Sequence, residues 1–506
     1  MPNPLYDRLF ARHADSDRPF LILPGGDVIT YRHFLQMAAQ LAHSLVAAGV
    51  QPGDRLAVQV EKSAIALALY AAAVQTGVIF LPLNPAYTAG ELTYFFENSA
   101  AKLLVCDPAN APVLALITAR LGADTLTMDA DGNGTLWQDA QTRPLRFTTI
   151  DRTADDLVAF LYTSGTTGRS KGAMLTQANL LSNTETLMDY WRFTDADVLH
   201  HALPIFHTHG LFVATNVMLL AGGAMQFLPR FDVDAALTLL PQATTMMGVP
   251  TFYTRLLDHP RLTRDRVGHM RLFISGSAPL LAETHAQFFD RTGHRILERY
   301  GMTETNMNTS NPYDGDRRAG TVGFPLPGVD LRVTDAATAT PLPQGEIGMI
   351  EVRGPNVFRG YWQMPDKTAA ELRADGFFIT GDMGRVDADG YVHIVGRDKD
   401  LIISGGFNIY PKEIEMVLDD QPGVLESAVI GVPHPDFGET VLGLIVPEPG
   451  QTPDLAAIMA ATSQALARFK QPRRLIIVES LPRNTMGKVQ KAAMRKTYEA
   501  LFDPGS

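Results

Sequence analysis

Cysteine is nearly absent from this 506-residue sequence, which contains only Cys106. A single cysteine forms no internal disulfide and no multi-cysteine metal site, so a disulfide framework is excluded. The flanking residues KLLVCDP predict that Cys106 lies at the end of a buried strand. Any thiol chemistry therefore uses a thiol that a substrate supplies, and we expect a reducing, cytoplasmic location.

The sequence also lacks an excess of positive charge. Its 43 Lys and Arg residues face 54 Asp and Glu residues, which gives a formal net charge of −11. Proteins that bind nucleic acid are usually basic, so a polyanion is not the expected main partner. The 46% apolar and 19% charged fractions are typical of a globular chain rather than a disordered one. The length predicts about three domain-sized units.

Long hydrophobic runs are rare, and one that needs a membrane check is the charge-free segment 63–90. A membrane-spanning helix needs about 20 apolar residues, but here Gln75 and Gly77 interrupt the run and prolines follow. The segment instead predicts a buried helix over 64–74 and a buried strand over 78–81. The first residues, MPNPLYDRLFARHADSD, likewise lack the apolar stretch of a signal peptide. We therefore expect no association with a membrane.

Helical and strand patterns alternate in the first 150 residues and again in the middle of the chain. Strands separated by helices of 10–15 residues predict a parallel sheet with right-handed crossovers. After residue 311, short strands with Gly and Pro turns predict a β-rich subdomain. The predicted helices are 34–48, 250–257, 411–418 and 453–467, and the predicted strands are 54–59, 102–106, 243–249, 272–275 and 427–431. After residue 397 the hairpin-like segment DKDLIISGGFNIYP begins what we interpret as a separate lobe.

The strongest local motif is YTSGTTGRSKG at residues 162–172, directly after an apolar strand. Its glycines allow backbone N–H groups to approach an anion closely, and its hydroxyls and lysine add donors and charge. This composition predicts a polyphosphate site. The spacing does not match the GxxxxGK[ST] loop of P-loop nucleotide-binding proteins.

Further polar, turn-forming motifs follow apolar runs along the rest of the chain. They are SGSAP (275–279), YGMTET (300–305), TGDMG (380–384), GRDKD (396–400), SGGFN (404–408) and PRNTMGK (482–488). In this order, and over essentially the whole chain, they closely resemble the adenylate-forming acyl-CoA synthetases, a superfamily that includes luciferases and peptide-synthetase adenylation domains.

The resemblance implies an α/β fold in two parts. Residues 1–397 would form a large N-terminal domain of stacked mixed sheets with helices and a β-rich subdomain. Residues 398–506 would form a small, mobile α+β C-terminal domain that rotates about a hinge at Lys399. The implied reaction uses ATP with Mg²⁺: a carboxylate attacks the α-phosphate of ATP, and the thiol of coenzyme A then attacks the acyl-adenylate.

The resemblance also assigns roles to individual residues of the large domain. The phosphates would be held by Thr163, Ser164, Gly165, Thr166, Thr167, Gly168, Lys171 and Thr303, and Mg²⁺ by Glu304 and Thr167. The adenine and acyl side would be lined by Gly276, Ser277, Ala278, Tyr300, Gly301 and Met302. Asp382 would bind the ribose, and Arg397 would brace the ribose or a phosphate. His207 would gate the tunnel for pantetheine, with a buried structural histidine as the alternative.

The remaining roles fall in the small lobe. Lys488 would be the mobile cation that reaches the attacking carboxylate and the α-phosphate. Ser404, Gly405 and Gly406 would offer backbone groups to the pantetheine arm. Lys488 also resembles the lysine that bacterial acetyltransferases modify in this family, so an acetyltransferase and a deacetylase are expected partners.

The acid substrate is predicted from Arg255, on a short helix that faces the acyl chain in this family. A guanidinium binds a carboxylate bidentately, so we expect a second carboxylate on the substrate, with Ser277 and His207 nearby. The segments VPTFYTR, SGSAPL and ERYGMTETNMNTS resemble the malonyl-CoA synthetases. The alternative is that Arg255 pairs with an acid on the surface.

We therefore expect a ligase that joins malonate to coenzyme A and tolerates methylmalonate. Three other functions stay open. The chain could be a ligase for another short acid, such as acetate or a small aromatic acid, or an enzyme that loads a carrier protein. It could also be a catalytically silent ATP-binding protein that kept the fold.

Overall fold

The computed structural model describes residues 3–163, 170–404, 407–434, 437–466, 468–484 and 487–502. By its internal contacts the chain divides into two compact units. The first contains residues 1–330 and 352–378, and the second contains residues 331–351 and 379–506. Residues 331–351 and 379–397 of the β-rich segment are thus grouped with the C-terminal residues. The mobile domain expected to begin at residue 398 stays a prediction.

One sheet of the first unit has seven strands. Their order is β18 (Gly360–Tyr361), β8 (Lys171–Thr176), β7 (Leu157–Thr163), β4 (Ile79–Pro82), β3 (Arg55–Gln59), β5 (Leu103–Cys106) and β6 (Asp124–Thr127). The sheet is parallel at its centre and antiparallel where β7 pairs with β8. Cys106 ends β5 and is buried, as its flanks predicted.

A second sheet of the first unit is also mixed. Its strand order is β15 (Phe324–Pro325), β14 (Asn306–Ser310), β13 (Leu297–Met302), β12 (Leu272–Ser275), β11 (Thr245–Gly248), β9 (Val198–His201), β10 (Ala224–Phe227), β1 (Pro19–Ile22) and β2 (Val28–Thr30). The strands from β13 to β1 in this order run parallel. The predicted parallel sheet is confirmed, and the antiparallel edge strands complete it.

The helices of the first unit follow its strands. They are α1 (Pro4–Leu9), α2 (Tyr31–Ala47), α3 (Ala64–Thr76), α4 (Ala89–Ser99), α5 (Ala111–Arg120), α6 (Thr135–Ala140), α7 (Gln177–Tyr190), α8 (Asn216–Ala221), α9 (Val233–Leu239), α10 (Pro250–Leu257), α11 (Arg264–Val267), α12 (Ala282–Thr292) and α13 (Pro365–Glu371). A π-helix covers His209–Thr215, and 3₁₀ helices cover Ala11–His13 and Leu240–Gln242.

Helix α3 confirms the interpretation of the charge-free segment. The Ser63 hydroxyl accepts a hydrogen bond from the N–H of Ala66 at its start, and Gly77 ends it with φ +72°. Nearly every residue of α3 is buried, so its apolar surface faces protein on all sides. None of the helices in the described part of the chain combines the length and apolar character that a membrane crossing requires.

The second unit contains two sheets. The first has the order β16 (Asp330–Thr334), β17 (Gly348–Arg353), β19 (Phe378–Val386) and β20 (Val392–Arg397). The second has the order β22 (Phe407–Ile409), β21 (Ile402–Ser404), β24 (Gly438–Pro447) and β23 (Val424–His434), with β25 (Arg474–Ile477) added to β24. Its helices are α14 (Pro411–Asp419), α15 (Leu455–Ala465) and α16 (Lys491–Thr497), with 3₁₀ helices at Asp398–Asp400 and Arg468–Lys470.

Alternating residues of β23 face different helices. Val429 packs with Ile414 of α14 and Ile458 of α15. Ile430, one residue later, packs with Met494 of α16. This period of two matches a strand with both faces covered. The antiparallel pairing of β21 with β22 also confirms the predicted hairpin.

Candidate active site

Parallel strands place the central motifs at one edge of the second sheet of the first unit. Gly248 of β11 pairs with Ser275 of β12, and Ser275 pairs with Glu298 of β13. The SGSAP turn leaves the carboxyl end of β12, and Tyr300 follows in β13. The two motifs therefore share one edge, and in open α/β sheets ligands bind at these carboxyl ends.

At two positions of this edge, Gly276 and Gly301, a Cβ would collide with neighbouring atoms. A Cβ at Gly301 would lie 1.9 Å from the carbonyl oxygen of Asn306, so the turn after β13 closes only with glycine. A Cβ at Gly276 would lie 2.4 Å from Cζ of Arg299. Gly276 therefore makes space for the guanidinium of Arg299, which was not predicted as a site residue from the sequence.

Glu304 lies directly after β13 and is buried. Its Oε1 accepts hydrogen bonds from the Thr163 hydroxyl and the Tyr361 hydroxyl, each at 3.1 Å. The described residues contain no group of three or more His, Cys, Asp or Glu side chains that would bind a metal by themselves. Mg²⁺ is commonly held through one carboxylate and substrate phosphates, so Glu304 beside the phosphate motif fits this ion.

Lys171 begins β8 and is buried in an ion pair that the sequence did not predict. Its Nζ lies 3.2 Å from both carboxylate oxygens of Glu371 and 3.1 Å from the hydroxyl of Tyr361. Tyr361 lies 2.6 Å from Glu371 as well, so one hydroxyl joins Lys171 and Glu371 to Glu304. Burial, together with Glu304 and Glu371, raises the pKa of Tyr361. Tyr361 therefore stays a neutral donor.

Arg299 is a buried cation in β13. It is 3% exposed, and its Nε and Nη2 have no hydrogen-bond partner among the described residues. Burial lowers its pKa to about 9. An unpaired buried charge is costly, so these two donors indicate a site for an anion that enters from outside.

His209 and Ser277 lie beside Arg299. Nδ1 of His209 is 3.1 Å from the Ser277 hydroxyl, and its Nε2 has no partner among the described residues. Burial lowers the pKa of His209, and the nearby Arg299 and His207 lower it further. The ring is therefore neutral. Ser277 has φ +71°, a strained backbone conformation, at the position where its hydroxyl contacts His209.

The two substrate residues predicted from the sequence lie differently. His207 is half-buried and accepts a hydrogen bond at Nδ1 from the N–H of His209, so it belongs to the same turn. Arg255 is exposed on α10, whereas its neighbours Tyr253 and Leu256 are buried. Of the two arginines Arg299 is the buried one, and the substrate role of Arg255 stays a prediction.

The second unit brings three predicted residues together. Asp382 of β19 pairs in register with Arg397 of β20, and Nε of Arg397 lies 2.6 Å from Oδ1 of Asp382. Lys488 is half-buried close to both. Its pKa is lowered to about 8, mainly by burial and also by Arg397 and Lys399, whereas Asp382 and Asp400 oppose this change.

The other predicted residues are placed as follows. Thr303, Met302, Tyr300 and Ala278 are half-buried at the strand ends. Lys399 lies in the Asp398–Asp400 3₁₀ helix, and its carbonyl accepts a hydrogen bond from Arg495 at 3.3 Å. Ser404 ends β21. The predicted residues Ser164, Gly165, Thr166, Thr167, Gly168, Gly405 and Gly406 lie outside the described residues.

Four residues of the site were not predicted from the sequence: Arg299, His209, Glu371 and Tyr361. Arg299 directly precedes YGMTET, and an arginine between a buried strand and a glycine turn was the signal available for it. His209 differs from His207 only in burial, which the PIFHTHG segment does not reveal. Glu371 and Tyr361 are separated from Lys171 by about 200 residues of chain, so no local pattern joined them.

Comparison with known proteins agrees with this arrangement. Residues 10–362 match the family described as AMP-binding enzyme, and residues 413–488 match the AMP-binding enzyme C-terminal domain. A feruloyl-CoA synthase from Amycolatopsis sp. is 36% identical over 94% of this chain and 95% of its own length. A malonate–CoA ligase from Arabidopsis thaliana is 34% identical over 89% of this chain and 79% of its own length.

Among solved structures, ATP-bound MatB from Rhodopseudomonas palustris is similar with a TM-score of 0.97. It is 58% identical over 99% of this chain and 100% of that chain. The two family matches and the named relatives point to the same kind of enzyme. The carboxylate, hydroxyl and cationic groups described above fit that kind of enzyme. The chain belongs to the AMP-binding enzyme family, and it is an ATP-dependent acid–CoA ligase of the adenylate-forming type.

Proposed function

We propose that the protein ligates malonate to coenzyme A through malonyl-adenylate, with tolerance for methylmalonate. The observation that carries this proposal is the buried guanidinium of Arg299, with Nε and Nη2 unpaired among the described residues. After adenylation of one carboxylate, malonate keeps a second one. That group loses its water in an acyl pocket and needs a cation there.

The geometry around Arg299 suits a carboxylate. Nε and Nη2 lie on the same side of a guanidinium, so together they donate two parallel hydrogen bonds to one carboxylate. The neutral ring of His209 offers its Nε2 as a further polar group for the carboxylate, and the Ser277 hydroxyl lies next to the ring. An aliphatic or aromatic acid would leave these donors unpaired, which costs about 1–3 kcal/mol for each group.

The comparisons support the proposal without deciding it. One relative is named for malonate and another for ferulate, at similar identity. The similarity to MatB is much closer and covers both chains almost completely. Arg255 stays a second candidate for the distal carboxylate, since its exposed position on α10 leaves its guanidinium available to a ligand.

In the first step, a carboxylate oxygen of malonate attacks the α-phosphorus of ATP, and pyrophosphate leaves. Both reactants are anionic, so positioned donors and cations supply most of the catalysis. Glu304 would hold Mg²⁺, which neutralises phosphate charge when bound. Thr303 would donate to the α-phosphate, Asp382 would accept from the ribose, and the charged form of Lys488 would stabilise the developing charge.

In the second step, the thiol of coenzyme A loses its proton to solvent and its sulfur attacks the carbonyl carbon of malonyl-adenylate. AMP leaves with the electron pair of the broken C–O bond. Ser404, with Gly405 and Gly406, would bind the pantetheine arm after a rotation about Lys399. Acetylation of Lys488 by an acetyltransferase, its reversal by a deacetylase, and a cytoplasmic location stay predictions.

The test is pyrophosphate release with a panel of acids: acetate, malonate, methylmalonate, succinate, benzoate and ferulate. We expect malonate to give the highest kcat/KM, with methylmalonate second. Thioester formation with coenzyme A is then followed for the best acid. A preference for ferulate or benzoate would refute the malonate assignment and favour an aromatic acid. Absence of pyrophosphate release with every acid, with ATP still bound, would favour a silent ATP-binding protein.

A further inference from the structure

A buried lysine lies behind the turn that carries His207 and His209, and the mechanism above does not use it. Lys62 is 7% exposed and follows β3. Its Nζ lies 2.9 Å from three acceptors: Nδ1 of His201, the carbonyl of His201 and the carbonyl of Leu203. The ring of Phe227 lies 4.2 Å below it. Among the described residues, no carboxylate pairs with it.

The protons of this cluster follow from its partners. Nε2 of His201 lies 2.9 Å from the carbonyl of Gly210, which only accepts, so Nε2 carries the proton. Nδ1 of the neutral ring is then an acceptor. Three acceptors around Nζ match the three N–H donors of an ammonium group. Burial lowers the pKa of both Lys62 and His201, so a positive charge on Lys62 costs free energy.

This cluster spans both ends of one turn. Lys62 binds the carbonyl of Leu203 directly, and through His201 it reaches the carbonyl of Gly210. A Cβ at Gly210 would lie 2.1 Å from the carbonyl oxygen of Pro204, so the two ends are already in contact. Between them lies His209, whose Nδ1 contacts Ser277 in the candidate acid pocket.

We propose that Lys62 is a positioning residue for acid binding: through His201 it fixes the Leu203–Gly210 turn and thereby holds His209 beside Ser277 and Arg299. A packing role alone would not need a charge. The three carbonyl and ring acceptors instead locate the turn.

The first test compares Lys62→Met with the parent enzyme and with Lys102→Met, which removes an exposed lysine before β5 of the same sheet as β3. The assay uses whichever acid the parent adenylates best, so its outcome is independent of the malonate assignment. We expect kcat/KM for the acid to fall about ten- to a hundredfold in Lys62→Met. The KM for ATP should change less than about twofold, and Tm should fall, because three buried acceptors lose their donor. Lys102→Met should match the parent.

A second pair of variants tests the same link without removing the lysine. His201→Gln keeps one acceptor for Lys62 and one donor for Gly210, whereas His201→Leu removes both. We expect His201→Gln to keep most of the acid kcat/KM and His201→Leu to lose as much as Lys62→Met. The double variant Lys62→Met/His201→Leu should lose no more than either single variant, because both break one connection.

Three results would overturn the proposal. Parent-like kinetics in Lys62→Met, whatever its Tm, would leave the lysine without a role in acid binding. Equal changes in the KM for the acid and for ATP would indicate general damage. Additive losses in the double variant would mean that Lys62 and His201 act separately. If Lys62→Met does not fold, the contrast between His201→Gln and His201→Leu decides the question.

Discussion

The guanidinium of Arg299 lies against the backbone of Gly276, where a Cβ would come within 2.4 Å of Cζ. Arg299 is buried, so this contact leaves it little space to move away. The SGSAP turn and the arginine before YGMTET are therefore matched to each other. The glycine of one motif determines where the charge of the other can lie.

The first prediction follows from this contact. Gly276→Ala should displace the guanidinium and raise the KM for malonate about tenfold or more, because the distal carboxylate loses an aligned donor pair. The matched control is Gly25→Ala, whose Cβ would meet no atom within 4 Å. Initial rates of pyrophosphate release over a malonate titration measure both. A KM for malonate that stays at the parent value in Gly276→Ala would contradict the prediction.

The second prediction separates the two arginines. Arg299→Met should lower the malonate/acetate ratio of kcat/KM roughly a hundred- to several-thousand-fold, since losing one partner of a buried charge pair costs about 3–5 kcal/mol. Acetate has no distal charge, so its turnover should change little. Arg255→Met should lower the ratio far less, because Arg255 is exposed. The reverse order would assign the distal carboxylate to Arg255, as the sequence alone suggested.

Elements with clear local signals were predicted closely. Helix α10 begins at Pro250, where the fixed φ of proline suits a first turn, and its observed bounds match the predicted ones. Strand β12 also matches, because small polar residues end a short apolar run. Strand β23 was predicted over 427–431 but covers Val424–His434. Its ends pair with β24 across residues that carry no strand pattern of their own.

The site was predicted less completely, for a related reason. The motifs indicated which segments meet, but burial decides which side chain of a motif is functional. His209 and Arg299 are distinguished from His207 and Arg255 by packing against elements distant in sequence. The ion pair of Lys171 with Glu371 likewise depends on α13 lying beside β8, which no short pattern encodes.

The third prediction concerns Lys488. Lys488→Ala should abolish pyrophosphate release, because the charge that we propose to act on the α-phosphate is lost. It should still convert synthetic malonyl-adenylate to the thioester with coenzyme A. Equal loss of both half-reactions would refute a role confined to adenylation. Acetylation at Lys488 removes the same charge and should have the same effect.

The pH dependence of adenylation tests the same lysine. Burial lowers the pKa of Lys488 to about 8, so the charged form predominates below that pH and is lost above it. We therefore expect kcat/KM for adenylation to fall as the pH rises through about 8. Lys488→Arg keeps its charge and should lose this decline, whatever its absolute rate. An unchanged decline in Lys488→Arg would assign the titration to another group.

The last prediction tests the expected hinge at Lys399. Rotation of a lobe requires large changes in φ and ψ at few residues, and proline fixes φ near −65°. Lys399→Pro should therefore spare adenylation and slow thioester formation, whereas Lys399→Ala, which leaves φ free, should keep both rates. The two half-reactions are measured separately, by pyrophosphate release and by thioester formation from supplied adenylate. If Lys399→Pro keeps both rates, rotation does not use this residue, and if both fall together with Tm, the proline has damaged the Asp398–Asp400 turn instead.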